Sequence, residues 1–292
     1  KTMPSGSFFA DAAAIGALLA RHQKTMAETL GEAGFLRIPD FLPQEAAEEV
    51  LAALAGLDNW ESADGQDDAG AGYDDAIRHR FKLAELDGFK EEEGSEEEKD
   101  AEKKEAESTL SRSQKHVLRG FGKLLWQLYK PEETQPNFTA ACYTRGDHIT
   151  PHDDNVLESY PKAEVEGIRK YYHKGYSLDE PSVSSDESDG ETKEEALRPL
   201  SYERELAMVY YLNKDWDAEK YGGRFLDLVS GEKYAPEFNS MVLFTVPRMH
   251  AVEKVKQKGV KRLSVFGWWL REKAQEPARK KRKIAKPRPK PA

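Results

Sequence analysis

His152 and Asp154 stand two residues apart at the end of the stretch Tyr143-Thr144-Arg145-Gly146-Asp147-His148-Ile149-Thr150-Pro151-His152-Asp153-Asp154. In an extended chain, side chains two apart share a face. An imidazole and a carboxylate at this spacing can therefore grip one metal ion. A third ligand is needed, and the best candidate is His250, which opens a late strand after Pro247-Arg248-Met249. Two histidines and one carboxylate on one face of an octahedral ion leave three positions open, which suits non-haem Fe(II) that must take up both a cosubstrate and O2. On its own the His-x-Asp pair is a weak signal, because the chain has seven histidines and the pair recurs by chance. Its company strengthens it. Twelve residues after His250, Arg262 heads the β-rich run Arg262-Leu263-Ser264-Val265-Phe266-Gly267-Trp268-Trp269. On an edge strand Arg262 would be a solvated cation. Turned inward, its guanidinium can fork onto a carboxylate with two parallel hydrogen bonds.

The elements that must position these residues follow from periodicity. Residues from Asp11 to Ala33 read as one or two helices, and Gly34 to Pro39 as extended chain. Pro43 at a first helical turn opens an amphipathic helix from Glu45 to Leu57. A further helix runs from Ser111 to Tyr129, with Val117, Phe121, Leu124, Leu125 and Leu128 on one face. After Pro136 the pattern turns to strands: Phe138 to Thr144, Leu206 to Leu212, Arg224 to Val229, Ser240 to Val246, Ala251 to Val255 and Arg262 to Trp269. Short strands without helices between them predict an antiparallel sandwich or barrel, with the earlier helices packed on its outside.

Hydrophobic residues make up 38% and charged residues 33%, so part of the chain is expected to lie outside any packed core. The net charge is −9, but Arg279 to Ala292 carries eight basic residues and no acidic one, leaving −17 for the rest. The body should repel nucleic acid, while the tail reads either as a solvated end or as a nuclear-address or polyanion-binding patch. Glu91 to Glu107 holds ten acidic residues against three lysines, and Ser177 to Ala196 holds eight against one. Both read as insertions with too little apolar surface to offset the entropy of ordering. The expected organisation is a helical support over 1–135 with an acidic insertion at 91–107. A catalytic core follows over 136–272 with a Ser-rich acidic insertion at about 174–198, and then a basic disordered tail at 273–292. No apolar run is long enough for a spanning helix, so no membrane partner is expected. The single cysteine, Cys142, excludes an intramolecular disulfide and a cysteine zinc cluster.

The order His-x-Asp, distal His, then Arg resembles the 2-oxoglutarate and Fe(II)-dependent dioxygenases. Within them the chain is similar to the prolyl hydroxylase branch. Tyr210-Tyr211-Leu212-Asn213-Lys214-Asp215-Trp216-Asp217, followed by Gly222-Gly223, resembles a strand and turn of the hypoxia-inducible-factor prolyl hydroxylases. The Tyr143 to Asp154 stretch and Arg262-Leu263-Ser264 with Gly267-Trp268 resemble the ribosomal-protein prolyl hydroxylases. Those enzymes carry a second barrel, and this chain ends too soon for one. The resemblance implies a mainly β fold, a double-stranded β-helix or jelly-roll barrel supported by packed helices. It implies His152, Asp154 and His250 as iron ligands and Arg262 as the anchor of the 2-oxoglutarate tail. It places Tyr143 and Tyr211 along the cosubstrate pocket and Trp268 on the substrate side.

The implied cofactors are Fe(II), 2-oxoglutarate and O2, with ascorbate as an optional reductant. The implied reaction is hydroxylation of a prolyl residue, with 2-oxoglutarate leaving as succinate and CO2. The partner would be a protein with an exposed proline, of ribosomal, transcription-factor or ubiquitin-ligase origin, and the compartment the nucleus or cytoplasm. Two alternatives stay open: a hydroxylase of a free amino acid or small molecule, and a non-catalytic interaction protein. Asp154 argues against a halogenase, which leaves that position to halide. Trp268 stands where nucleic-acid demethylases carry a second arginine.

Overall fold

The structure, a computed structural model, describes residues 7–57, 80–82, 110–173 and 197–273. The acidic stretch at 91–107, residues 174–196 of the second insertion and residues 274–292 of the basic tail lie outside the described residues.

A 3-10 turn, Phe8–Ala10, leads into helix α1, Ala12–Ala33. The Asp11 carboxylate accepts from the Ala13 and Ala14 N–H groups at its start. Gly34, in the left-handed region at φ 62°, ends it. Ile15, Leu18, His22, Met26 and Leu30 form the buried stripe of α1. Strand β1, Phe35–Ile38, and helix α2, Gln44–Ala55, follow. Pro43 is the cap of α2 and not its first turn: its ψ of 144° is extended, and its carbonyl accepts from Ala47 N–H. Strand β2 is Arg80–Lys82, and helix α3, Arg112–Leu128, opens on a capping box between Ser111 and Gln114.

The remaining elements are β3, Thr134–Tyr143; β4, Ile149–His152; β5, Leu157–Pro161; α4, Lys162–His173; β6, Pro199–Tyr211; and α5, Ala218–Tyr221. Then come β7, Phe225–Asp227; β8, Lys233–Tyr234; β9, Ser240–Thr245; β10, His250–Val252; and β11, Arg262–Glu272. The stretch between Asp154 and Tyr202 thus holds a strand and a helix where the sequence pattern shows neither. β5 is half exposed along its length, so it carries no apolar run to betray it. Its place is set by antiparallel pairing with the first half of β6.

Two antiparallel sheets result. The larger runs β1-β9-β6-β11-β3-β2, with β5 beside β6, and the smaller runs β4-β10-β7-β8. This is the expected mainly β jelly roll supported by helices, built as two facing sheets; among the described residues no ladder closes them into a barrel. The larger sheet alternates, except at one register shift between β6 and β11, where Trp269 faces Leu206 and Leu270 faces Arg204. Phe138, Ala140, Cys142, Leu206, Met208, Tyr210, Met241, Leu243, Leu263, Val265 and Trp269 pack with the helices. Ala141, Tyr143, Ala207, Tyr211, Val242 and Phe244 face the smaller sheet. The indole N–H of Trp269 donates to the Leu125 carbonyl, tying β11 to α3. Gly267 is required by close approach: a Cβ there would lie 2.0 Å from the Asn137 carbonyl oxygen.

Candidate metal centre

β4 and β10 pair antiparallel with His152 directly opposite His250. This brings together two imidazoles that are 98 residues apart in the chain, with ring centroids 4.1 Å apart. Asp154 joins them by a route the spacing did not suggest. β4 ends at His152, and Asp154 lies past it in the left-handed region at φ 61°. A turn, not the strand's two-residue repeat, swings the carboxylate back. One candidate ligand atom from each of His152, Asp154 and His250 falls within 4.8 Å of the others. His152 Nε2 stands 3.3 Å from Asp154 Oδ1, and His250 Nε2 stands 3.6 Å from Asp154 Oδ2.

Each imidazole is oriented from behind. His152 Nδ1 lies 2.7 Å from the Thr150 carbonyl, and His250 Nδ1 lies 2.7 Å from the Arg248 carbonyl. A carbonyl only accepts, so Nδ1 carries the proton and the Nε2 lone pair faces the cluster. Burial pulls His250 below the usual imidazole range against the opposing field of Asp154, which favours the neutral, metal-binding form. Burial works against the Asp154 charge. The two imidazoles in their protonated form, together with the Trp268 N–H, outweigh it and hold the carboxyl below the usual range. Phe225 stacks on the His250 ring at 5.2 Å and Phe244 packs at 4.6 Å, so one flank of the cluster is apolar.

Arg262 heads β11 on the same inner face, 1% exposed. Its Nε donates to the Gly223 carbonyl at 2.9 Å. A Cβ on Gly223 would meet Arg262 Cδ at 3.0 Å, which accounts for glycine there. The guanidinium lies over the Tyr143 ring at 4.7 Å and the Tyr211 ring at 5.1 Å. Asn213 pins the start of β11: its Oδ1 accepts from Leu263 N–H and its Nδ2 donates to the Leu263 carbonyl. Among the described residues no carboxylate pairs with Arg262. The Tyr211 hydroxyl, also buried, meets no acceptor for its proton there either. Burial pushes that phenol up to about 12, with Arg262 opposing, so it stays a donor. A buried cation and an idle donor side by side form a seat for an anion.

Residues 138–270 match the family model described as the 2OG-Fe(II) oxygenase superfamily. These residues are a 2OG-Fe(II) oxygenase domain. Among solved structures, a prolyl hydroxylase in complex with a hypoxia inducible factor oxygen degradation domain peptide fragment, from Trichoplax adhaerens, superposes with a TM-score of 0.50. It is 16% identical over 89% of this chain and 94% of that one. A Pseudomonas putida prolyl-4-hydroxylase gives 0.42 at 17% identity, covering 86% and 100%. The viral collagen prolyl hydroxylase of Paramecium Bursaria Chlorella virus-1 gives 0.39 at 13%, covering 83% and 99%. No curated protein sequence matches the chain. At such identities the likeness to the first of these establishes the fold.

The oxygenase domain fits the group its family uses. Its His-Asp-His cluster offers two nitrogens and a carboxylate, a donor set suited to Fe(II). Arg262, with no carboxylate partner among the described residues, suits the far carboxylate of 2-oxoglutarate. Trp268 stands beside the cluster, its Nε1 donating to Asp154 Oδ2 at 3.0 Å.

Four further residues shape the site without a motif to announce them. Arg204 stacks on the Trp268 ring at 3.6 Å, and its Nε donates to Glu158 Oε1 at 2.6 Å. Its Nη1 reaches to within 3.6 Å of Asp154 Oδ1. Asp227 and Arg248 pair behind His250. The signal available in the sequence was a charge inside an apolar strand, Arg204 in β6 and Asp227 in β7. No described residue gives the domain a helix long and apolar enough to cross a membrane.

Proposed function

We propose that the oxygenase domain hydroxylates a prolyl residue of a polypeptide. The observation that carries the cosubstrate assignment is Arg262: fully buried, with no carboxylate partner among the described residues, flanked by Tyr143 and Tyr211, on the face that carries the His152-Asp154-His250 cluster. The prolyl assignment is supported by the Tyr210 to Asp217 stretch with Gly222-Gly223, which builds this pocket. Tyr211 lines it, Asn213 pins β11, and the Gly223 carbonyl receives Arg262. The Trichoplax adhaerens neighbour, whose structure holds a hypoxia inducible factor peptide, supports a polypeptide over a free amino acid.

His152, Asp154 and His250 would hold Fe(II), and Arg262 would fork onto the far carboxylate of 2-oxoglutarate. When bound, Fe(II) with 2-oxoglutarate and O2 supplies oxidation of an unactivated C–H bond, with succinate and CO2 as by-products. The chain's own part is geometry. The backbone carbonyls of Thr150 and Arg248 keep both imidazoles in the binding tautomer. Tyr211 keeps its proton and can donate to the cosubstrate. Trp268 fixes the second oxygen of Asp154. Phe225, Phe244 and Val242 make this part of the inner face apolar, which would limit water beside a bound metal. No side chain need act as an acid or base.

The test is incubation of the full chain with Fe(II), 2-oxoglutarate and proline-containing peptides, followed by mass spectrometry. The expected product carries +16 Da on proline. Hydroxylation of another residue, or of a free amino acid only, refutes the prolyl reading while leaving the oxygenase in place.

A further inference from the structure

His250 is gripped by a buried ion pair that the reaction itself does not call for. Asp227, the last residue of β7, lies directly opposite His250 in the β7–β10 pairing. Its side chain is fully buried. Arg248 forks onto it, Nε to Oδ1 at 3.0 Å and Nη2 to Oδ2 at 2.7 Å. Ser230 Oγ and Val229 N–H complete the carboxylate's partners. Burial opposes the charge, but these donors hold Asp227 below the usual carboxylate range.

Arg248 has further anchors. Its Nη1 donates to the Ala33 carbonyl at the end of α1, at 3.3 Å, and its guanidinium lies over the Phe35 ring at 5.1 Å. Its backbone N–H donates to the Asp153 carbonyl at 3.2 Å, and its own carbonyl receives the His250 Nδ1 proton at 2.7 Å. One residue therefore touches the turn that carries Asp154, the imidazole of His250, the strand behind both, and the helical layer.

We infer that Asp227 and Arg248 are positioning residues for the metal: their fork sets the Arg248 carbonyl, and that carbonyl sets the His250 imidazole. The inference rests on the metal-centre reading above. A bidentate pair constrains both distance and angle. The carbonyl is two bonds from the Cβ that the fork immobilises, so loosening the side chain frees the carbonyl to tilt. Partners that orient a ligating imidazole typically contribute 10- to 100-fold in metal affinity. The contact with Ala33 extends the device into α1, so the helical layer takes part in building the centre.

The experiment is Co(II) titration of the full chain, followed by visible absorption, with thermal melts run beside it. Arg248→Ala and Asp227→Asn are each expected to raise the Co(II) dissociation constant about tenfold or more and to alter the Co(II) band shape. The double variant should be no weaker than the worse single one, because the two residues act as one unit. Arg248→Lys keeps the charge without the fork and should fall between wild type and Arg248→Ala.

The control is Arg224→Ala. Arg224 pairs with Glu253 and Glu219 and touches neither Asp227 nor His250. It should lower the melting temperature while leaving Co(II) affinity unchanged. Equal Co(II) affinity in wild type, Arg248→Ala and Asp227→Asn overturns the inference, as does an equal loss in Arg224→Ala. Absence of Co(II) binding by folded wild type would overturn the metal-centre reading instead.

Discussion

Replacing Arg262 by methionine should separate cosubstrate binding from stability, because the two are expected to move differently. Hydrogen bonds to charged groups contribute about 1.5–3 kcal/mol each, so losing a two-bond fork removes about 3–6 kcal/mol of 2-oxoglutarate binding. At about 1.4 kcal/mol per decade this is two to four orders of magnitude in Kd. Stability follows another sum. The substitution deletes the Nε bond to the Gly223 carbonyl, a loss of about 1 kcal/mol. It also deletes a 1%-exposed cation that no described carboxylate neutralises, and the desolvation cost of such an ion is several kcal/mol. Methionine fills much of the same stem volume. Arg262→Met should therefore unfold at an equal or higher urea midpoint than wild type. Calorimetric titration of 2-oxoglutarate into the Mn(II)-loaded chain reads the first quantity, and urea denaturation of the metal-free chain reads the second. Unchanged 2-oxoglutarate affinity would refute the anchoring role. A stability loss above about 3 kcal/mol, the size seen when a buried pair is broken, would show that Arg262 has a counterion after all.

Trp268→Phe leaves an aromatic, though smaller, ring for Arg204 to stack on but removes the N–H to Asp154. Metal affinity should fall about tenfold in a Co(II) titration, from a charge-assisted bond of about 1.5 kcal/mol. Gly267→Ala drives a Cβ to 2.0 Å from the Asn137 carbonyl and 2.8 Å from Phe138 Cα, both backbone. Neither can yield cheaply, so the melting temperature should drop steeply; a melt within a few degrees of wild type would contradict the close packing of β11 on β3. Burial raises the Cys142 thiol from 9.0 to about 11, so iodoacetamide at neutral pH should label it only after unfolding. The native state favours the neutral thiol. Its contribution to stability is thus fully present below pH 9 and is lost as pH rises towards 11, a slope that pH-dependent urea midpoints should show and Cys142→Ala should flatten.

The parts of this molecule that could be read from the chain are those whose signal is local. The stripes of α1 and α3 repeat every three to four residues, and β9 and β11 are β-rich and bounded by turns. β5 and α4 escaped because β5 is stabilised by its partner β6 and not by its own composition. The ligand residue types were visible too, but the reason they converge was not. Asp154 reaches the cluster through a left-handed turn rather than along a strand face. Asp227 and Arg248 share no motif; they meet only because β7 lies beside β10.

The amino-acid sequence alone determined the kinds of groups present: two imidazoles, a carboxylate and a guanidinium, in an order that limits the chemistry to a narrow class. It also determined those helices and strands whose side-chain period is a property of neighbours in the chain, such as α1, α3, β9 and β11. Tertiary structure alone decided that His152 stands opposite His250, that Arg262 is buried with no carboxylate partner among the described residues, and that the Arg248 carbonyl meets the His250 imidazole. Such facts depend on pairing between strands about a hundred residues apart. Their free energy comes from hydrogen bonds and burial that exist only once the chain has closed those loops, so no local pattern encodes them.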